Sequence, residues 1–252
     1  MGLLLLVGLA IVGGAACPPA LMTAFSEELG VELCHAWGMT ELSPLGCANR
    51  PKHKHAGLSP EERDRLGVKQ GRTLYGVDLR IVDDAGRALP HDGTAAGDLH
   101  VRGPWVTGSY FLAEPHSALV DGWFPTGDVA TIDADGYMHI TDRSKDVIKS
   151  GGEWISSIAL ENLAMSHPAI AEAAVIGVPH PKWDERPLLL AVKKPGGEVS
   201  REALLAFFIG KVAKFWLPDD VVFVPELPHT ATGKISKMQL RERYRTHALP
   251  SA

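Results

Sequence analysis

The chain has 252 residues, of which 45% are hydrophobic and 22% are charged, and this ordinary globular composition argues against a disordered or fibrous protein. Its 25 Lys and Arg residues and 30 Asp and Glu residues give a formal net charge of −5, which argues against a general nucleic-acid binder. At about 100–200 residues per domain, the length predicts one large domain or two modest ones.

The first segment of the chain is apolar. Residues 1–12, MGLLLLVGLAIV, are followed by Gly13 and Gly14. A signal sequence or lipoprotein anchor would fit this pattern, and so would a buried strand of a parallel sheet that ends at a glycine-rich turn. No Lys or Arg precedes the apolar run, and the run is shorter than the about 20 residues that cross a membrane. We therefore predict a strand buried on both faces and no integral membrane segment.

The next elements alternate between helix and strand. Apolar spacing predicts a helix over 19–29 and a strand over 31–36, an alternation typical of a parallel sheet with crossover helices. A polar stretch with a surface helix follows over 51–71. Turn signals then separate short strands, which is typical of antiparallel hairpins; these strands are predicted over 77–82, 98–102 and 137–140.

A new unit is predicted after Asp142. Ser156 or Ser157 can cap a helix that ends at Met165, and Ser200 can cap another. Strands are predicted over 173–178, 188–192 and 221–224, and a terminal helix over 237–244. The expected fold is α/β, with a sheet-rich domain over 1–142 that combines parallel and antiparallel strands and a small α+β domain over 143–252.

Three cysteines, Cys17, Cys34 and Cys47, show no CxxC spacing, which predicts reduced and buried thiols in a cytosolic protein. The histidines His53 and His55 raise the alternative of a metal site. No carboxylate or cysteine lies near them at ligand spacing, so exposed loop histidines are the better interpretation.

Two segments carry side chains suited to a nucleotide. In HAWGMTE, residues 35–41, the Thr40 hydroxyl can donate to a phosphate oxygen, the Glu41 carboxylate can hold Mg²⁺, and Trp37 can cover a purine ring. The alternative is a helix start capped by Thr40. In WFPTGD, residues 123–128, Asp128 at a predicted strand start offers two oxygens that match the vicinal hydroxyls of ribose. The alternative there is an ordinary turn aspartate.

Two further segments combine cations with small residues. DRSKDVIKSGGE, residues 142–153, places cations beside a double glycine; these residues are Arg143, Lys145, Lys149, Gly151 and Gly152. A solvated loop would explain the charges but not the paired glycines, which allow a sharp bend or a close approach to a ligand. PHTATGKISK, residues 228–237, can present Lys234 to a phosphate as a mobile point charge.

In this order the four segments resemble the adenylate-forming (AMP-dependent) acyl-CoA synthetase superfamily, and most closely its bacterial medium- and long-chain fatty-acid–CoA ligases. The resemblance extends from about Ile11 to Tyr244 and includes the stretches 97–110 and 178–187. It implies a cytoplasmic enzyme that uses MgATP to convert a fatty carboxylate into acyl-AMP and pyrophosphate. The thiol of CoA then displaces AMP. The implied ligands are ATP or AMP, Mg²⁺, CoA and a fatty acid.

The resemblance also implies a role for each residue of the first half. The adenine and acyl pocket would be formed by Gly14, Ala15, Ala16, His35, Ala36, Trp37 and Gly38. Thr40 would bind the α-phosphate, Glu41 would be the Mg²⁺ ligand, and Asp128 would bind the ribose hydroxyls.

In the second half, the resemblance assigns Arg143 to the ribose and phosphate region and Lys145 to a hinge. The small C-terminal domain, residues 143–252, would be mobile and rotate about Lys145 between half-reactions. Lys234 would enter the site for adenylation, and Lys149 with the Gly151-Gly152 turn would face the site and the CoA channel in the rotated state.

The Ser/Thr/Gly-rich phosphate loop of the family, expected before the strand at Leu3, is not in the chain, and neither is most of the acyl pocket. We therefore expect residues 1–142 to be the C-terminal part of the large AMP-binding domain, and the isolated chain to be inactive. The alternative is a non-catalytic remnant that binds nucleotide or depends on a partner. The sequence leaves open the acyl chain length, the pathway and whether the protein forms a homo-oligomer.

Overall fold

The computed structural model describes residues 8–14, 17, 19–230 and 233–251. Its contacts divide the chain into a first unit, Met1–Thr141, and a second unit, Asp142–Ala252. Residues 1–7, on which most of the predicted N-terminal strand falls, lie outside the described residues. In the part that is described, no helix is long and apolar enough to span a bilayer.

The first sheet begins with two parallel strands joined by a helix. Strand β1 (Leu9–Val12), helix α1 (Pro19–Leu29) and strand β2 (Glu32–Gly38) form this crossover, and β3 (Leu45–Ala48) and β4 (Arg72–Thr73) complete the order β1-β2-β3-β4. Strands β1 and β2 are parallel, whereas β3 runs antiparallel to β2. This arrangement confirms the predicted α/β class, and α1 has the predicted bounds.

The prediction of a strand buried on both faces is wrong for the described part of β1. Ile11, in its middle, is 68% exposed. The physical reason is that β1 lies at the end of the strand order and pairs, among the described strands, with β2 alone. The described part of the apolar run, Leu9–Val12, therefore forms an edge strand among the described strands.

Four strands form the second sheet of the first unit in the order β5-β6-β7-β8; they are β5 (Asp78–Val82), β6 (Ala96–Arg102), β7 (Phe124–Ile132) and β8 (Met138–Arg143). Strand β6 runs antiparallel to β5 and β7, as predicted. Its buried Leu99 packs in one hydrophobic cluster with Ile81 of β5 and with Trp37 and Leu42 from the end of β2. This cluster joins the carboxyl end of β2 to the second sheet.

The polar stretch between the two sheets contains the predicted surface helix, α2 (Pro60–Gly67). Ser59 caps it: the Ser59 hydroxyl accepts from the Glu62 N–H at 3.3 Å, and the Glu62 carboxylate accepts from the Ser59 N–H at 2.9 Å. This reciprocal pair satisfies two backbone donors that the first turn would otherwise leave unbonded. The helix therefore begins at a fixed residue although none of its side chains is buried.

The second unit is built on a five-stranded sheet with helices; its elements are β9 (Ile148–Ser150), β10 (Glu153–Ile155), α3 (Ser157–Met165), β11 (Ile170–His180), β12 (Asp184–Lys193), α4 (Arg201–Phe208), β13 (Asp220–Phe223) and α5 (Lys237–Arg243). Strand β12 is central, antiparallel to β11 and parallel to β13. Neighbouring residues of β11 face opposite sides, since Val175 packs with α3 and α4 and Ile176 packs with Leu240 of α5. Burial on both sides explains the near-continuous apolar sequence of these strands.

The three cysteines are buried and form no disulfide in the described structure. Burial raises the pKa of the Cys47 thiol to about 12 and also raises the pKa of Cys17. The prediction of buried, unbridged thiols is therefore confirmed.

A chain of largely buried polar groups links helices α5 and α3 to Asp142, the residue at which the second unit begins. Lys237 of α5 forms an ion pair with Glu161 of α3 at 2.7 Å and donates to the Ser157 hydroxyl at 2.5 Å. The Ser157 hydroxyl donates in turn to Asp142 Oδ2 at 2.7 Å. Burial raises the pKa of both carboxyl groups, and the ammonium of Lys237 opposes that effect. One cation therefore compensates two buried acids.

We predict that Lys237→Met lowers the free energy of unfolding by about 3–5 kcal/mol at pH 7, because it leaves buried carboxylates without a counter-charge. A carboxyl group whose pKa is raised by folding favours the folded state at low pH, and this contribution is lost as the pH rises through the raised pKa. The loss should therefore be smaller at pH 5, where the folded state takes up protons. Urea unfolding at both pH values measures this difference.

The control is Lys194→Met, which changes an exposed lysine and should alter the free energy of unfolding by no more than about 0.5 kcal/mol. An equal loss for Lys237→Met at both pH values would contradict the electrostatic explanation.

Candidate functional site

The candidate site begins at the carboxyl ends of β1 and β2. Val12, the last residue of β1, lies opposite His35 of β2 in the parallel pairing. The residues that follow β1, starting with Gly13 and Gly14, therefore lie at the same sheet edge as the end of β2. Gly14 has a φ of +83°. Ala15 and Ala16 lie outside the described residues.

One hydrogen bond joins the first two sequence motifs. The Trp37 indole Nε1 donates to Asp128 Oδ2 at 3.2 Å, and the two residues are 91 positions apart in the sequence. Both are buried, with 7% of Trp37 and 3% of Asp128 exposed. The bond restrains one oxygen of the buried Asp128 carboxylate beside the end of β2.

A bulge in β7 directs Asp128 toward Trp37. Asp98 of β6 lies opposite Val129, but His100 lies opposite Pro125, so one residue of β6 faces three residues of β7. Gly127 has a φ of +73°, which favours glycine. Such bulges redirect side chains, and they are frequent next to active sites.

The bulge is held by Thr126. Its hydroxyl donates to the Leu99 carbonyl at 2.9 Å and accepts from the Asp128 N–H at 3.1 Å. The prediction that Asp128 lies at a strand start is wrong, since it lies inside the nine-residue β7. The alternative of an ordinary turn aspartate is also wrong. Apart from Gly127, no local sequence pattern indicates the two extra residues of the β7 bulge.

Thr40 and Glu41 lie in a 3-10 turn, Thr40–Leu42, directly after β2. Met39 occupies the cap position and makes no side-chain capping bond, so the alternative of a cap by Thr40 is wrong. Gly38 allows this turn, because a Cβ atom there would lie 2.0 Å from the Pro44 carbonyl oxygen. The buried Leu42 fixes the turn to the core, and Thr40 is exposed beside it.

Glu41 is half-buried, and a residue that the sequence analysis did not single out contacts it. The Tyr110 hydroxyl donates to Glu41 Oε1 at 3.0 Å, and the Thr107 N–H donates to the Glu41 carbonyl at 2.8 Å. The bond to Glu41 is the main cause that raises the Tyr110 pKa. Tyr110 ends the stretch 97–110 that belongs to the family resemblance, but its partner could not be identified from the sequence.

Glu41 fits the chemistry of a magnesium ligand but does not form a site by itself. Among the described residues, no group of three or more His, Cys, Asp or Glu side chains could hold a metal ion. Protein-bound Mg²⁺ commonly takes one or two carboxylates together with substrate phosphates and waters. A single half-buried carboxylate beside the exposed Thr40 is compatible with that mode of binding.

The histidines singled out from the sequence lie in different environments. His35 is buried, and its Nδ1 lies 3.0 Å from the Val68 carbonyl, so its ring contacts the segment that leads into β4. His53 is exposed, as predicted. The same prediction is wrong for His55: its side chain is 11% exposed, and its Nε2 lies 3.6 Å from Asp135 Oδ2. Asp135 also pairs with two lysines of the same loop, which lowers its pKa to about 2.

The cationic motif after β8 lies in the second unit. Arg143 and Lys145 are exposed, and the turn around them is closed by the Asp146 and Val147 N–H groups, which both donate to the Arg143 carbonyl. Lys149 is exposed in β9, with its Nζ 5.4 Å from the centre of the Trp154 ring. This part of the motif is therefore a tight turn followed by a short strand.

The double glycine connects β9 to β10. Gly151 and Gly152 have φ values of +58° and +86°. The Gly151 N–H donates to the Trp183 carbonyl at 2.9 Å, and a Cβ on Gly151 would approach the Trp183 ring to 2.9 Å. The paired glycines thus form a turn packed against Trp183, a contact that the sequence analysis did not predict.

Lys234 ends a narrow loop before α5. The Thr230 N–H donates to the Lys234 carbonyl at 2.7 Å, and the Gly233 N–H donates to the Thr230 carbonyl at 2.9 Å. Residues 231 and 232 lie outside the described residues. Lys234 is exposed, as a mobile point charge must be.

Two family models match separate segments of the chain. Residues 3–111 match the family model of the AMP-binding enzymes, and residues 159–234 match the model of the AMP-binding enzyme C-terminal domain. The chain is 60% identical to the 3-methylmercaptopropionyl-CoA ligase of Ruegeria lacuscaerulensis over 235 residues, covering 93% of this chain and 44% of that relative. It is 55% identical to the medium-chain-fatty-acid–CoA ligase of Ectopseudomonas oleovorans over 234 residues, covering 93% and 43%.

Among solved structures, ATP-bound MatB from Rhodopseudomonas palustris is similar with a TM-score of 0.80 at 31% identity, covering 94% of this chain and 46% of that chain. The chain thus spans less than half the length of the curated relatives that it matches. Two matches of the same family, in the same order as the two units, account for most of the sequence. The chain therefore belongs to the AMP-binding enzyme family.

Proposed function

We propose that the chain is the C-terminal part of an AMP-forming acyl-CoA ligase and that its first unit binds the nucleoside monophosphate portion of ATP. The contact between Trp37 and Asp128 carries this proposal. It joins a buried, oriented carboxylate to the strand end that also leads into Thr40 and Glu41. A carboxylate suited to vicinal hydroxyls and an exposed hydroxyl suited to a phosphate oxygen are groups that AMP binding would use.

The first half-reaction brings two anions together. A carboxylate oxygen attacks the α-phosphorus of ATP, the bond to the bridging oxygen breaks, and pyrophosphate leaves with that electron pair. Thr40 would donate to an α-phosphate oxygen and Asp128 would accept from the ribose hydroxyls. Glu41 would hold Mg²⁺, which neutralises phosphate charge when it is bound. Arg143 and Lys234 would place further positive charge where the transition state becomes more negative.

The second half-reaction has a different electrostatic requirement. The thiol sulfur of CoA attacks the acyl carbon, the bond from that carbon to the phosphate oxygen breaks, AMP leaves, and the thiol proton is released. Lys234 is no longer needed at the phosphate, so we propose that the second unit rotates about Lys145. The turn at Gly151 and Gly152, with Lys149, would then face the thioester site.

The proposed acyl substrate is a medium- or long-chain fatty acid, and the proposed compartment is the cytoplasm, where ATP and CoA are available. The medium-chain-fatty-acid ligase supports the substrate class at 55% identity. The 3-methylmercaptopropionyl-CoA ligase, at 60% identity, favours a short thioether acid as the second candidate. Both acids present the same carboxylate to the same nucleotide site, so the candidates differ in the acyl pocket and not in the chemistry.

We predict that the isolated chain binds nucleotide weakly but releases no pyrophosphate from ATP with octanoate, palmitate or 3-methylmercaptopropionate. The reason is that it spans 44% of the length of its relative. A chimera that joins the chain to the part of the Ruegeria lacuscaerulensis ligase that it does not match should restore pyrophosphate release. Robust turnover by the isolated chain would contradict the first expectation, and an inactive, folded chimera would favour the non-catalytic alternative.

In that chimera, Lys234→Ala should lower pyrophosphate release by about 10²–10³-fold, because it removes one preorganised charge from the adenylation transition state. Thioester formation from preformed acyl-AMP should change much less. Lys194→Ala, which removes another exposed lysine of the second unit, is the matched control. Equal losses in the two half-reactions would refute the assignment of Lys234.

Trp37→Phe keeps an aromatic ring but removes the N–H donor to Asp128, so it should weaken AMP binding by about tenfold, the effect of one hydrogen bond to a charged group. Isothermal titration of AMP into the chain itself measures this change. Trp105→Phe, at a partly exposed tryptophan of the same unit, should leave the affinity unchanged. Undiminished binding by a folded Trp37→Phe variant would show that the orientation of Asp128 does not matter.

A further inference from the structure

The connection between β6 and β7 is bound to the turn that contains Glu41. The Thr107 N–H donates to the Glu41 carbonyl at 2.8 Å, and the Tyr110 hydroxyl donates to Glu41 Oε1 at 3.0 Å. Two positions after Glu41, the Ser43 hydroxyl donates to the Trp105 carbonyl at 3.1 Å. All five residues belong to the first unit. The connection therefore holds Glu41 by its backbone and by its side chain.

The backbone that carries Tyr110 is itself restrained. The Thr107 hydroxyl donates to the Ser109 carbonyl at 2.8 Å, directly before Tyr110 in the chain. The Ala113 N–H donates to the Tyr110 carbonyl at 3.0 Å. A side chain that orients a ligand group needs such support from its own surroundings. The phenol of Tyr110 therefore contacts Glu41 from a defined position, although 56% of the tyrosine is exposed.

The bond at Oε1 is compatible with a metal ion on the same carboxylate. A carboxylate has about four acceptor sites on its two oxygens, so one hydrogen bond leaves sites for a cation. A glutamate that binds a metal ion also loses rotamer freedom, which opposes binding. Since Tyr110 already restricts the Glu41 side chain, less of that freedom remains to be lost when the cation binds.

The coordination chemistry of Mg²⁺ makes the orientation of Glu41 important. Mg²⁺ requires near-octahedral geometry at short distances, and it commonly takes one or two carboxylates together with substrate phosphates and waters. Where so few protein groups hold the ion, the direction of each carboxylate decides where the ion lies relative to the phosphates. A residue that fixes this direction therefore affects the affinity for the metal–nucleotide complex.

We propose that Tyr110 is a positioning residue that orients the Glu41 carboxylate for the divalent cation bound with the ATP phosphates. The inference rests on the proposed function, in which Glu41 holds that cation, and it adds a residue that acts through Glu41. Loss of a hydrogen-bond partner of a metal ligand typically weakens metal binding by about 10–100-fold. Because Tyr110 is partly in contact with water, we expect the lower end of this range, about tenfold.

Tyr110→Phe tests the proposal because it removes the hydroxyl and keeps the ring. Tyr75→Phe is the matched control, since it makes the same change in the first unit at a tyrosine that is 99% exposed. Glu41→Gln is the reference variant, because it keeps the size of the side chain and removes the charge of the proposed metal ligand.

The first measurement follows metal binding without turnover. Mn²⁺ is paramagnetic and suits the same oxygen ligands as Mg²⁺. It is titrated with ATP, and without an acyl substrate, into the chimera with the Ruegeria lacuscaerulensis ligase, and water proton relaxation reports the bound ion. Tyr110→Phe should weaken binding of the Mn²⁺–ATP complex about tenfold, Glu41→Gln at least as much, and Tyr75→Phe by less than about twofold. An unchanged affinity in a folded Tyr110→Phe chimera would overturn the proposal.

The second measurement separates metal binding from nucleotide binding. In a buffer without divalent cations, isothermal titration of AMP into the chain itself should give the same affinity for Tyr110→Phe, Tyr75→Phe and the native chain. A loss of AMP affinity in Tyr110→Phe as large as its loss for the Mn²⁺–ATP complex would indicate a general structural role and would also overturn the proposal.

The third measurement is the dependence of pyrophosphate release on Mg²⁺ in the chimera. Tyr110→Phe should raise the KM for Mg²⁺ about tenfold and change kcat at saturating Mg²⁺ by less than about twofold, because it affects the binding of the cation. A lower kcat with an unchanged KM for Mg²⁺ would contradict the positioning role.

The reference variant separates failure of this inference from failure of the proposed function. If the native chimera does not bind the Mn²⁺–ATP complex, or if Glu41→Gln binds it as tightly as the native chimera, Glu41 does not hold the cation. The proposed metal role then fails together with the inference. If Glu41→Gln weakens binding and Tyr110→Phe does not, Glu41 keeps its proposed role and the inference alone fails.

Discussion

The hydrogen bond from Trp37 to Asp128 is the constraint on which the candidate site depends. A buried carboxylate is costly unless donors satisfy it, and an indole N–H is a donor only, with one fixed direction. The bond therefore requires the end of β2 and the middle of β7 to keep one mutual position. The turn that carries Thr40 and Glu41 follows β2 directly and is fixed to the same hydrophobic cluster through Leu42. The bond and the hydrophobic cluster thus bring three candidate ligand groups to one part of the first unit.

The proposed function would assign different electrostatic tasks to the two units. The carboxylate of Asp128, which would serve both proposed half-reactions, lies on a strand of the first unit. The cations with one proposed step each, Lys234 and Lys149, lie in the second unit. A positive charge that must approach a phosphate in one step and withdraw in the next belongs on a separate body. The Arg143–Asp146 turn, closed by two N–H groups on one carbonyl, connects that body to β8.

Much of the fold could be predicted from the sequence, because its elements have strong local signals. Helix α1 has apolar spacing and a glycine after it, and α3 follows a serine cap. The position of β1 at a sheet edge could not be predicted, since an apolar sequence is compatible with both a central strand and an edge strand. The family resemblance placed Thr40, Glu41 and Asp128 in one site, but residue types alone left each open to an ordinary structural role.

The geometry of the site was much less predictable than its residues. The bulge of β7 depends on pairing with β6, about thirty residues earlier, and the bond between Tyr110 and Glu41 spans 69 positions. The connection of Asp142 to Lys237 through Ser157 crosses three elements. Such contacts are decided by tertiary packing, which no local pattern encodes.

The burial of all three thiols gives the chain a practical property. A thiol reacts as its thiolate, and Cys47 with a pKa of about 12 is almost entirely protonated at neutral pH. Cys17 and Cys34 are also buried, with 5% and 2% of their surface exposed. A cysteine introduced on the surface would therefore react selectively with a maleimide dye. Distances between the two units could then be followed by fluorescence without removing any native cysteine.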